Sequence, residues 1–303
     1  MIYYKRMATT YTNIASNKRK TFLLIAIYIA FITGIVYFLR TVYGYGIEFV
    51  FAASAFSVLM ALVSYYTGDK VALAVSGARP VTKADNSYIV NMIENLAITA
   101  GLPKPKVYVI NDPAINAFAT GRDPKHASVA VTTGAMERLE NEELEGVLAH
   151  ELSHVGNYDI RVMTIVVVLV GIIAILSDWF IRSQFWGYGG RNRDRDRSGG
   201  GGVLMIIGFA LLILSPIIAE LIKLAVSRKR EFLGDASGAL LTRYPEGLAR
   251  ALEKIGAQNR PMASANNATA HLFFSNPFSA KKLGSLFSTH PPLEERIKRL
   301  RGM

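Results

Sequence analysis

Long stretches without charge constrain this chain before anything else. Phe22–Leu39 and Phe49–Tyr66 contain no charged residue. A helix needs about 20 mostly apolar residues to cross the hydrocarbon core of a bilayer, and both stretches qualify. Two further runs, Val162–Ser177 and Val203–Ala219, are shorter before a charge. The first ends at Asp178 and Trp179; the second continues past Glu220 and Lys223 to Val226. Charges near helix ends can reach toward the interface. The competing reading of these two runs is a buried helical hairpin of a soluble domain. A mean hydropathy of +0.26 agrees with membrane segments, and 303 residues also leave room for a soluble domain with its own core.

The first run is longer than the apolar part of a signal peptide, and Tyr37-Phe38-Leu39-Arg40 is no small-residue cleavage site. Lys5, Arg6, Lys18, Arg19 and Lys20 precede it, whereas Arg40 is the one cation between the first two runs. The positive-inside rule then puts the N-terminus in the cytoplasm, and four crossings leave segments 67–161 and 227–303 on that side. Segment 182–202, with Arg182, Arg191, Arg193, Arg195 and Arg197, would face outside against that rule. Alternatively, the last two runs dip into the membrane as a hairpin. The Gly199–Gly202 tract makes this segment a flexible loop. The formal charge of +11 invites a nucleic-acid reading. No aromatic-interleaved basic surface accompanies these arginines, so they read as solvated or headgroup-contacting, with no nucleic-acid partner.

Apolar periodicity predicts a helix over Thr82–Ala100, ended by Gly101 and Pro103. Val107–Ile110, Asn116–Thr120 and Ala127–Thr132 read as strands, the last two around a turn at Gly121–Lys125. A helix capped by Asn141 runs to Gly156. Further helices are predicted over Ser227–Leu241, Pro245–Ile255 and Leu293–Leu300, with 259–289 as loop.

The chain has no cysteine, which excludes disulfides, thiol nucleophiles and thiolate-held clusters. Any metal must be held by His, Asp or Glu. Residues 150–154 read His-Glu-Leu-Ser-His. On a helix, residues i and i+4 are separated by about 400° of rotation, so both imidazoles leave one face, one turn apart. His150 and His154 can then share a zinc ion, with Glu151 placed to accept a proton from water. A catalytic zinc wants a third protein ligand. His126, His271, His290 and a carboxylate are candidates. Glu231 is favoured because the hydrophobic hairpin brings the chain after Val226 back beside the chain after His154. Asp235 lies one turn beyond Glu231 and could orient a ligand imidazole. His290 could act at an oxyanion, donate to a ligand, or cap the last helix, and Arg296 could pair with an active-site carboxylate. His126 reads as solvated.

Four motifs occur in order: Asn116-Ala117-Phe118-Ala119-Thr120-Gly121; His150-Glu151-Leu152-Ser153-His154 with Asn157 and Asp159; Ser227-Arg228-Lys229-Arg230-Glu231-Phe232-Leu233-Gly234-Asp235; and Ser288-Thr289-His290-Pro291-Pro292-Leu293 with Arg296. With them the chain resembles, over nearly its whole length, the HtpX-type membrane-bound zinc endopeptidases. The resemblance implies one Zn2+ per chain with Glu231 as third ligand. It implies ATP-independent cleavage of misfolded or damaged membrane proteins at the cytoplasmic face, in protein quality control under stress. It also implies that the Asn116–Gly121 strand, with Asn116, Ala117, Phe118 and Ala119, lines the cleft. Independently, an exposed sheet edge there could bind an extended peptide through main-chain hydrogen bonds. Gly234 stands where that family more often has Ala, a departure with no expected consequence, and the 182–202 loop has no counterpart.

The expected fold is mainly α, with an α+β zincin-like catalytic domain holding a small β-sheet. Four transmembrane helices, or two plus a membrane-dipping hairpin, anchor it. The expected parts are an anchor over 1–66, a first catalytic part over 67–161, a hairpin over 162–226 and a second catalytic part over 227–303. Partners would be unfolded and membrane-protein polypeptides and the lipid bilayer; the location would be the cell membrane, multi-pass. The alternative function is a non-catalytic zinc-binding membrane scaffold, against which Glu151 speaks, because a structural zinc site has no use for a base between its ligands. An intramembrane protease is disfavoured by Glu142, Glu143, Glu145, Asp159 and Arg161 around the motif. A prenyl-protein protease would be expected to have more membrane helices.

Overall fold

The computed structural model describes residues 10–44, 46–171, 228–258, 260–263, 269–277 and 291–303. Two long helices open the chain: α1 (Thr10–Tyr43) and α2 (Ile47–Val75). They pack along each other, with the hydroxyls of Thr33 and Ser54 bonded at 3.0 Å. Ser54 and Ser64 donate back to the carbonyls of Val50 and Met60, which satisfies polar groups inside an apolar helix. The outward faces are apolar and uncovered: Phe22 is 74% exposed and Phe51 70%. Such a surface suits lipid rather than water.

Among the described residues, α2 is the one helix that is by itself long and apolar enough to cross a membrane. The start of the third apolar run forms α6 (Asp159–Gly171), which leaves the preceding helix α5 (Asn141–Gly156) at a bend of 85°. Val162, Ile165, Val166 and Leu169 of α6 form a cluster with Leu24 and Tyr28 of α1 and Ala61 of α2. At Gly68 of α2 an added Cβ would lie 2.9 Å from the Thr164 methyl, so α2 and α6 touch nearly backbone to side chain. The remainder of run three, all of run four and the 182–202 loop lie outside the described residues, so the four-crossing count is not reached here.

The soluble part combines helices with one mixed four-stranded sheet. Its strands are β1 (Ala78–Pro80), β2 (Lys106–Ile110), β3 (Ala117–Gly121) and β4 (Ala127–Thr132), in the order β1-β2-β4-β3. β2 and β4 run parallel; the other pairs are antiparallel. Gly121, at φ +141°, allows β3 to turn where a side chain would strike the His126 carbonyl. β1 was not expected from the sequence: three residues leave no alternation to read.

Caps explain where the helices differ from their periodicity. α3 (Ser87–Thr99) starts after Thr82 because Asn86 accepts from the Ile89 N–H and Asp85 holds the Thr82 amide. Helix α5 begins behind Glu140, not Asn141, since the Glu143 carboxylate accepts the Glu140 N–H at 2.8 Å. Asn141 accepts instead from the Tyr88 hydroxyl. α4 (Thr133–Arg138), α7 (Arg228–Thr242), α8 (Pro245–Ala257) and α9 (Leu293–Arg301) complete the helices used below.

One apolar core joins both halves of the chain. Leu144, Leu148 and Leu152 of α5 share it with Val129 and Val131 of β4, Ala239 of α7, and Leu248 and Leu252 of α8. α5 is its axis, packed against α7, α8 and β3. The approach of α7 to α5 is close enough to require glycine: a Cβ at Gly238 would lie 2.9 Å from the His150 backbone nitrogen. Gly238→Ala is therefore expected to push the two helices apart at a cost of about 1–3 kcal/mol, read as a lower thermal unfolding midpoint of the detergent-solubilised protein. An unchanged midpoint would contradict this account of the packing.

Candidate metal centre and active site

His150 and His154 occupy successive turns of α5, and both are buried. Their Nε2 atoms face each other at 3.1 Å. Glu231, in the first turn of α7, brings its carboxylate to 3.8 Å from His150 Nε2 and 3.6 Å from His154 Nε2. Among the described residues these three form the group that could hold a metal ion, with ligand atoms all within 4.8 Å of one another.

Each ring is turned by a carboxylate at its other nitrogen. Asp235 Oδ1 lies 3.0 Å from His150 Nδ1, and Asp159 Oδ2 lies 3.0 Å from His154 Nδ1. With Nδ1 engaged by an acceptor, Nε2 is the atom left to bind a cation. Arg296 reaches in from α9 and grips Asp235 with both arms, at 2.9 and 2.6 Å, while its third nitrogen lies 3.9 Å from Glu231. Arg296 is fully buried, and its guanidinium lies over the Phe274 ring at 4.7 Å. The same ring meets His150 edge to face at 4.8 Å.

Glu151 follows His150 on α5 and turns toward the sheet while staying within reach of the charges of His154 and Glu231. One of its oxygens accepts the Ala119 N–H of β3 at 2.8 Å, so the strand backbone fixes the carboxylate. β3 is an edge strand by sheet order, yet it is buried throughout. The Ala117 carbonyl accepts from the Phe274 N–H at 2.8 Å. Asn116 exchanges two side-chain bonds with the backbone of Ser275. Thr164 of α6 bonds Thr120 and the Gly121 amide at the strand's far end. The edge is thus covered by the chain itself, which differs from the open edge expected from the sequence. The Phe118 side chain leaves β3 on another side and stacks edge-on with Phe273.

Burial dominates the protonation of these groups. It drives His150 down to about 4, with the charges of His154 and Arg296 adding to it and Asp235 opposing. It pushes Glu151 up to about 8, reinforced by the negative charge of Glu231. For His154 burial is outweighed by Asp159 and Glu231, and the ring is held up at about 9. Asp235 stays below the usual carboxylate range because Arg296 and His150 overcome its burial. The protein groups alone thus leave a proton on His154 and on Glu151 near neutrality. A divalent cation reverses that, since it needs neutral imidazole and favours the carboxylate.

The residues fit such a cation. Four buried carboxylates, Glu151, Glu231, Asp159 and Asp235, face two guanidinium groups, Arg296 and Arg230. A doubly charged ion makes up the difference, and nitrogen and carboxylate oxygen together are the donor set of a catalytic zinc.

Of the other residues singled out from the sequence, His126 is surface-exposed and bonded to Asp123. His271 is buried but donates from Nε2 to the Met163 carbonyl at 3.0 Å. His290 lies outside the described residues. Asp159 stands in the second motif, and its distance of five residues from His154 places it just past the end of α5. Phe274 gave no signal, being one aromatic in an aperiodic stretch. Gly234 is not an indifferent position: a Cβ there would meet the His150 ring at 2.8 Å, so α7 lies closer to the ring than a methyl group allows.

The profile of peptidase family M48 matches residues 83–303. The Protease HtpX homolog of Caldanaerobacter subterraneus subsp. tengcongensis is 47% identical over 295 residues, covering 97% of this chain and 98% of that one. The Protease HtpX homolog of Tropheryma whipplei (strain Twist) is 46% identical over 293 residues, covering 97% and 98%. In structure the chain is similar to Ste24p of S. mikatae, with a TM-score of 0.52 and 20% identity over 95% of this chain and 66% of that one, a likeness of fold. Both the profile match and relatives spanning almost the whole sequence lead to one assignment: the chain belongs to peptidase family M48 and is a membrane-associated metalloprotease.

Proposed function

We propose that this protein is a multi-pass membrane zinc endopeptidase that cleaves misfolded or damaged membrane proteins at the cytoplasmic face. The observation that carries the chemistry is the convergence of His150 Nε2, His154 Nε2 and the Glu231 carboxylate beside Glu151. In this reading His150, His154 and Glu231 hold one zinc ion per chain. When bound, zinc supplies Lewis acidity toward the scissile carbonyl and a water acidic enough to react at neutral pH.

Glu151 takes the proton of the attacking water on its free oxygen and returns it to the leaving amine. Its other oxygen keeps the Ala119 N–H bond, so the carboxylate does not swing during transfer. Asp235 and Asp159 hold the two rings with Nε2 forward. Arg296 keeps Asp235 ionised and in place. The stretch Asn116, Ala117, Phe118 and Ala119 is the proposed peptide-binding strand. A client backbone would exchange hydrogen bonds with those that Phe274 and Ser275 now make there. Reading main chain rather than side chains suits unfolded clients. The cytoplasmic orientation rests on the Lys and Arg residues before the first apolar run. His290, which lies outside the described residues, is proposed as a donor at the oxyanion or to a metal ligand.

A second reading, a zinc-binding scaffold without activity, leaves the oriented carboxylate of Glu151 without a task. Glu151→Gln separates the two. It keeps an acceptor for the Ala119 N–H and should retain zinc while losing casein hydrolysis by about 10²–10⁴-fold; full activity would remove Glu151 as the base. Glu231→Ala should bring zinc well below one per chain by elemental analysis of detergent-purified protein. Wild-type stoichiometry in that variant would move the third ligand elsewhere.

A further inference from the structure

Asn17 belongs to the helix that carries the first apolar run, yet its side chain is buried at the metal centre. Its Nδ2 donates to Asp159 Oδ1 at 2.7 Å and to the Asn157 carbonyl at 2.9 Å. The two hydrogens of one amide are thereby both used. Asp159 is the carboxylate whose other oxygen holds His154 Nδ1. Its Oδ1 also receives Arg230 from α7 at 3.2 Å. All of this sits at the junction of two helices. Between α5 and α6 the chain bends by 85°, and Tyr158 takes φ 60°, a left-handed conformation rare for a tyrosine.

We propose that Asn17 is a positioning residue for the zinc site, through which the first membrane helix sets the orientation of His154. The inference rests on His154 being a zinc ligand. Asp159 has two oxygens and could turn either toward the ring. Donation from Asn17 and Arg230 to Oδ1 leaves Oδ2 for His154, and the bond to the Asn157 carbonyl fixes the bend that carries Asp159. The choice of an amide has a reason. An aspartate here would set a second carboxylate against Asp159, and an alanine would leave the Asn157 carbonyl buried without its donor. The other ring is held differently: Asp235 is gripped by Arg296 from the soluble helix α9. One ligand is therefore oriented from the soluble part alone, and the other by the first apolar helix together with Arg230 of α7.

The test uses the full-length, zinc-loaded protein in detergent and follows zinc transfer to a chromogenic chelator. Loss of a group that orients a metal ligand's partner typically costs about 10–100-fold in metal affinity. Asn17→Ala should therefore release zinc about tenfold faster than wild type. Asn17→Asp, the same size but lacking both donors, should do so at least as strongly. In an Asp159→Ala background, Asn17→Ala should add nothing, because its effect passes through Asp159. Wild-type zinc retention in Asn17→Asp overturns the proposal, as does an effect that simply adds to that of Asp159→Ala, which would mark a packing role. His154→Ala provides the separate control. If it keeps zinc, the ligand reading fails and the proposal falls with it; if it loses zinc while both Asn17 variants keep theirs, the assignment of Asn17 alone is wrong.

Discussion

Two imidazoles one helical turn apart can share an ion only when each is held with the same nitrogen forward. In this protein a buried carboxylate at each Nδ1 does that, and much of the architecture around α5 is the means of keeping those carboxylates in place. Asp235 needs α7 beside α5, which Gly234 and Gly238 permit by their lack of a side chain. It also needs Arg296, which brings α9 to the site. Asp159 needs the bend after α5 and the donors that converge on it from α1 and α7.

The arrangement is costly without its cation. Four carboxylates in the interior lose hydration that two guanidinium groups cannot restore. Burial then drives a proton onto Glu151, while the neighbouring carboxylates Asp159 and Glu231 hold one on His154 against its burial. The stability of this region and its affinity for a divalent ion are therefore coupled, since the ion relieves the repulsion that folding creates. The apolar core around Leu144, Leu148 and Leu152 lies on the opposite face of the same helix and offsets that strain.

Much of this was legible from residues alone, and the reason lies in sequence distance. The i, i+4 spacing of His150 and His154 is a local property of a helix, so periodicity exposes it. Glu231 could be located from the expectation that the third and fourth apolar runs bring the chain after Val226 back beside the chain after His154. β2, β3 and β4 announced themselves by alternation and bounding turns. What escaped were contacts made once, between distant segments, by ordinary residues. Asn17 meets Asp159 across 142 positions, and Phe274 touches His150 from an aperiodic stretch. The cover over β3 escaped for the same reason: an edge strand can be recognised by its pattern, but what lies along it cannot. The apolar runs show a further limit, since their length licenses a crossing without specifying the 85° turn by which α6 departs from α5.

That turn has a consequence for how the proposed chemistry meets its substrates. α6 holds β3 through Thr164, bonded to Thr120 and Gly121, and holds α1 and α2 through Val162, Ile165 and Leu169. The strand proposed to receive a client backbone is thus tied, through neighbouring turns of α6, to the apolar cluster shared with α1 and α2. The same strand supplies the N–H that orients Glu151. A client pairing with β3 would therefore act on the backbone that holds Glu151, the proposed base. Recognition through main chain by the strand that orients the proposed base would favour extended clients, with no side-chain pocket needed to select them.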